Sequence, residues 1–156
     1  MEARFSKRLN HLASKTIHCV NNQTSSVLRN QQLLSIRPNL ELDSSQSTPA
    51  EQFQNQTLRP ILKFQHELLL AAFRAYIDKR HGVFFLLSAK DRVEWIKHSV
   101  QKDQSLRNTL TGMVIGHFSL EEWDSFLANE AEHSRRLIQM LIQRLQSAVE
   151  SFKNQD

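Results

Sequence analysis

The chain has 156 residues and a mass of 18.2 kDa, which suits one domain with an extension better than two domains. Apolar residues make up 40%, charged residues 23%, and mean hydropathy is -0.47, which excludes a wholly disordered chain; 3 Gly and 3 Pro are too few for a turn-rich sandwich or barrel. Net charge is +4, of which +3 lies in residues 1–48, so the folded part lacks the concentrated charge of a nucleic-acid-binding domain.

Residues 1–47 read as a basic, polar, poorly ordered segment. Within it Phe5, Leu9, Leu12, Thr16 and Val20 fall on one helical stripe, with Arg4, Lys7, Arg8 and Lys15 largely opposite. Residues 4–20 therefore offer a peripheral membrane anchor, a partner-binding helix or a transit peptide as alternatives to a plain extension. From Asn21 to Ser47 the composition is that of a linker. Val27 to Ile36 can form a short turn of helix, which Arg37-Pro38 ends because the residue before proline avoids the α region.

Residues 48–156 predict an all-α fold, an antiparallel bundle of four to five helices joined by short loops. Thr48-Pro49-Ala50-Glu51 is a capping box with proline at the first helical position. Ile61, Leu62, Leu68, Leu69, Ala72, Phe73, Tyr76 and Ile77 then recur at spacings of three and four, with Pro60 predicting a kink, or a short first helix and a fresh start near Thr57. Gly82 is the expected C-cap. Val83 to Leu87 has strand propensity but no partner strand, and reads as a buried connector. Ser88 with Asp91 starts a helix carrying Val93, Trp95, Ile96 and Val100. Asp103 to Phe118 forms another, with Leu106, Leu110, Met113, Val114 and His117 at helical spacing. Gly112 and Gly116 lie four apart on it, which predicts a close crossing of two helices. Ser119 with Glu122 is a further capping box, flanked by Phe118 and Trp123 in the positions of a hydrophobic staple. That helix runs to about Ala128. Asn129 to Glu132 signals the last helix, whose stripe of Leu137, Ile138, Leu141, Ile142, Leu145, Ala148, Val149 and Phe152 is the cleanest in the chain.

The residues that could carry chemistry are few. Glu130 and His133 form one Glu-x-x-His pair, half of a di-iron carboxylate site, but no second pair exists. Glu130, His133, His117 and His98 together make the metal or small-ligand alternative, and their spacings match no zinc pattern. There is no phosphate loop or serine elbow. The sequence thus predicts no catalytic set and no cofactor. Cys19 is the only cysteine, so an intrachain disulfide is excluded. A reducing, cytoplasmic location is expected. The longest apolar runs, Leu68 to Phe73 and Val83 to Leu87, fall well short of the ~20 residues of a membrane-spanning helix. The polar patch Lys102 to Asn108 reads first as a capped, solvated helix start, and alternatively as a binding surface. Asp103, Arg107 and Asn108 would orient a partner's polar groups beside the aromatic Phe118 and Trp123, with Gly112 and Gly116 at the close approach.

Two stretches, Phe53-Gln54-Asn55-Gln56-Thr57-Leu58-Arg59-Pro60-Ile61-Leu62-Lys63 and Gln101-Lys102-Asp103 with Arg107-Asn108, Leu110, Gly112-Met113-Val114-Ile115-Gly116 and Phe118, resemble a family of short bacterial helical proteins often labelled "glyoxalase". The resemblance spans roughly residues 50–146 and implies a helical fold. Glyoxalases of the usual kind hold a metal on the strands of βαβββ modules, and neither those strands nor that ligand set occurs here, so the activity is not carried over. The sequence as a whole points to a non-enzymatic interaction module acting through a protein partner or homo-oligomer.

Overall fold

A computed structural model of the chain describes residues 25–40, 48–80 and 83–152. The amphipathic stretch 4–20, His18, Cys19 and Gly82 lie outside the described residues. The chain divides into two compact units, Met1–Ile36 and Arg37–Asp156. In the first, residues 25–35 form helix α1, which stops before Arg37 and Pro38 as the proline rule predicts. The second unit begins at Arg37, earlier than the capped start at Thr48, because Arg37 is bound to Glu122 far along the chain.

Every described regular element is a helix. They are α2 (Pro49–Phe53), α3 (Arg59–Phe64), α4 (His66–Asp78), α5 (Ala89–Lys102), α6 (Gln104–Ile115), α7 (Leu120–Ala128) and α8 (Glu130–Ser147). None is long and apolar enough to cross a membrane.

Local capping chemistry sets four of the starts, Asp103 among them through the Leu106 N–H. Thr48 and Ser119 make reciprocal capping boxes with Glu51 and Glu122. Ser88 makes half of one: its Oγ accepts from the Asp91 N–H, and Asp91 returns to the hydroxyl. Asn129 makes no side-chain cap, so α8 begins at Glu130 without one.

Of the two forms expected at Pro60, the short first helix with a fresh start is the nearer, and a second interruption follows. A π-helical turn over Gln54–Leu58 precedes the proline. Pro60 has no N–H to give the carbonyl four residues back, and its ring crowds that carbonyl; a widened turn just upstream accommodates both. Gln65 then leaves helical geometry, with φ -86° and ψ 7°, before α4 starts. Val83–Leu86 forms one 3₁₀ turn in which Phe84 is buried but Val83 and Leu86 are exposed, so the connector is buried at one residue only. The last helix ends at Ser147 and a 3₁₀ turn, Val149–Ser151, carries Phe152 into the core.

Helix α8 packs against α5 and α6, and α4 against α6. Two aromatic clusters fill the interior. Phe73 meets Phe84, Trp95 and Phe152 at centroid distances of 6.5, 6.1 and 5.3 Å. At the other, Phe53 meets Phe118 edge to face at 5.8 Å, and Phe126 lies 5.6 Å from Phe118. Such pairs add orientation-dependent stabilisation to the burial of their area.

Candidate functional site

The polar patch singled out at the start of α6 is held together by its own hydrogen bonds. Asp103 is the one residue between α5 and α6, and its Oδ1 caps α6 by accepting from the Leu106 N–H at 3.1 Å. Its Oδ2 accepts from Tyr76 Oη at 3.1 Å and from the Arg80 guanidinium, which lies 4.6 Å from the Tyr76 ring centroid. The Leu106 N–H is the largest of the influences that hold the Asp103 carboxyl below its ordinary pKa; Tyr76 and Arg80 add to it against the opposing effect of burial. Burial pushes the Tyr76 phenol up. Arg107 turns back, donating from Nη1 to Gln101 O at 2.6 Å and from Nη2 to Gln104 Oε1, while Asn108 Oδ1 accepts from Gln104 at 2.8 Å. Arg107 and Asn108 therefore tie the helix junction. Asp103 does face a cleft of about 720 Å³, shared with Tyr76, Trp95, His98 and Lys102.

The glycine pair does not make the expected crossing. A Cβ placed on Gly112 meets nothing within 4 Å, and one on Gly116 meets only Gly112 O, at 3.2 Å. At 100° per residue both glycines fall on the face turned away from Leu106, Leu110 and Val114, which carry the buried stripe. The close approach is thus not made by any described residue.

Phe118 and Trp123 diverge in role. Phe118 is buried, whereas Trp123 stacks on Phe126 at 5.8 Å and 13° with its other side toward solvent. Trp123 shares an outward stripe of α7 with Leu120 and Leu127; the three are 39%, 51% and 46% exposed. Spacing of three and seven residues puts them on one line along the helix. Leu120 and Leu127 carry no surface signal in the sequence, because apolar residues at helical spacing equally mark a core stripe.

Behind α7 lies a buried ion pair that sequence reasoning also missed. Arg37 donates to both Glu122 oxygens, at 2.5 and 2.8 Å, and to His117 O. Glu122 further accepts from Thr57 Oγ1 at 3.0 Å and the Ser119 N–H at 2.8 Å. The two side chains are 6% and 15% exposed. Burial by itself raises the Glu122 carboxyl, but Arg37, Ser119 and Thr57 outweigh it and hold the pKa below its ordinary value. The sequence signal at Arg37 was only the proline that follows it.

The candidate metal ligands occupy separate places. His133 is buried, stacked on Phe53 at 4.4 Å, with Nδ1 3.1 Å from Phe126 O at the end of α7. His117 Nδ1 lies 2.9 Å from Met113 O, which can only accept; its Nε2 is then the acceptor for Gln65 Nε2 at 2.7 Å. His98 is exposed on the Tyr76 cleft and Glu130 is exposed at the start of α8. Among the described residues no group of three or more His, Cys, Asp and Glu is placed to hold a metal ion. Comparison with family models, with curated proteins and with solved structures gives no match, so the likeness to the glyoxalase-labelled family rests on the residues quoted above.

Proposed function

We propose that this chain is a non-enzymatic helical module that docks a protein partner through the outward face of α7. The observation that carries the reading is the exposed line of Leu120, Trp123 and Leu127. Single exposed apolar residues are ordinary, but tryptophan is the residue type most enriched at binding hot spots, and the two leucines extend its apolar line along one stripe. Charge supports the kind of partner. Phe118 to Glu132 holds five carboxylates and no Lys or Arg. Glu122 is neutralised by Arg37 and Glu132 by Arg135 and Arg136, while Asp124 and Glu130 are exposed. An apolar line flanked by negative charge complements a cationic amphipathic segment, whereas a second copy of α7 would set acid against acid.

The test titrates the full chain with a Lys/Leu amphipathic peptide and its Glu/Leu counterpart, following tryptophan emission. Saturable binding of the cationic peptide alone, weakened roughly tenfold or more by Leu127→Ser in keeping with loss of a buried leucine contact, is expected. Equal binding of both peptides, or an unchanged affinity in the variant, overturns the reading. Light scattering on the free chain separates the other occupant: a dimer abolished by Leu127→Ser assigns the face to self-association.

A further inference from the structure

A second cleft, of about 520 Å³, lies between α3 and α8, and its charge is one-sided. Arg59 and Lys63 stand four apart on α3, and Arg144 reaches the same cleft from α8. Leu40 also lines it, and among the described residues no carboxylate does. The other polar groups there, Gln54, Gln143 and Ser147, are neutral. Gln54 Oε1 accepts from Arg136 Nη1 at 2.9 Å, which leaves the amide N–H groups of Gln54 as its donors. Leu40 and Met140, both partly exposed, supply its apolar surface, with Leu62 fully buried beneath.

None of the three cations is in an ion pair with a described carboxylate. Arg59 Nε donates to Asn55 Oδ1 at 3.0 Å, and Arg144 Nη1 lies 3.2 Å from His66 Nδ1. Arg144 is partly buried, and burial lowers its pKa. Several other arginines find acids, Arg37 with Glu122, Arg80 with Asp103, and Arg135 and Arg136 sharing Glu132, whereas Arg92 and Arg107 donate to neutral oxygens. Like charges four apart on a helix repel, and a partly desolvated guanidinium without a counter-ion is unfavourable. Three such groups in one concavity focus a positive potential on the space between them.

We propose that the cleft between α3 and α8 binds a phosphate monoester, its phosphoryl group held by Arg59, Lys63 and Arg144 and its organic portion resting on Leu40 and Met140. A dianionic phosphoryl group matches three cations better than a single carboxylate does, and guanidinium forks suit its oxygens. The cleft volume lies within the range of small-ligand sites.

The probe is phenyl phosphate, titrated into the full chain at low ionic strength by calorimetry, with inorganic phosphate, phenol and a single-stranded oligonucleotide run in parallel. One saturable site for phenyl phosphate is expected, with inorganic phosphate weaker and phenol silent. Arg144→Gln and Lys63→Gln should each weaken it by roughly tenfold or more, the worth of a charge-assisted hydrogen bond, while Lys90→Gln on α5 leaves it unchanged. Arg59→Gln, at an exposed position, keeps the test valid where Arg144→Gln disturbs folding. No saturation, equal weakening by Lys90→Gln, phenol binding as well as phenyl phosphate, or affinity that grows with oligonucleotide length would each overturn the proposal.

Discussion

Replacing Glu122 by alanine isolates the buried clasp. The substitution removes the acceptor of two Arg37 donors, of Thr57 Oγ1 and of the Ser119 N–H. Arg37 keeps only His117 O, and its Nε is already buried without a partner. With Arg37 6% exposed, the charge left behind is an unpaired buried cation. Removing one member of such a pair costs about 3–5 kcal/mol, against about 5–15 kcal/mol for the whole fold of a domain this size. Loss of the capping bond to Ser119 acts in the same direction and is not separable from it. Urea unfolding at neutral pH, followed by far-ultraviolet circular dichroism, measures the effect. The double variant Arg37→Met with Glu122→Leu should recover most of the loss, since apolar replacement of a buried pair is close to neutral. A loss below about 1 kcal/mol for Glu122→Ala, the range of exposed ion pairs, would refute the argument, as would strictly additive costs in the double variant.

Two further outcomes follow from the same structure. The Glu122 pKa is depressed in the folded state, so its contribution is present above the ordinary value of 4.5 and fades as pH falls through the lower folded value. Acid titration of stability should therefore show a steeper loss below pH 4.5 in the parent than in Glu122→Gln; parallel curves would contradict it. Gly112→Ala should raise the melting temperature, by about 0.5–1 kcal/mol of stability, because the added methyl meets no described atom and the helix gains propensity. Destabilisation of the isolated chain would mean that something covers this face after all.

Much of the fold was legible because helix starts are local events. Thr48 with Glu51 and Ser119 with Glu122 need only residues three apart, and both boxes form. The Leu137, Leu141, Ile142, Leu145 stripe is likewise a property of one helix, and all four are buried. Asp103 was legible as a cap for the same reason. Its role toward Tyr76 and Arg80 was not, since those side chains arrive from a different helix.

Amino-acid order alone thus determined that the chain is helical and where most helices begin, since capping and 3.6-residue periodicity act within about one turn. Which faces meet was decided by tertiary packing. It turned Gly112 and Gly116 outward, seated the Gln65 amide on His117 from 52 residues away, and joined Arg37 to Glu122 across 85. It also brought Arg144 beside Arg59 and Lys63. Such pairings depend on how helices cross and rotate, and no spacing within a single helix encodes that angle.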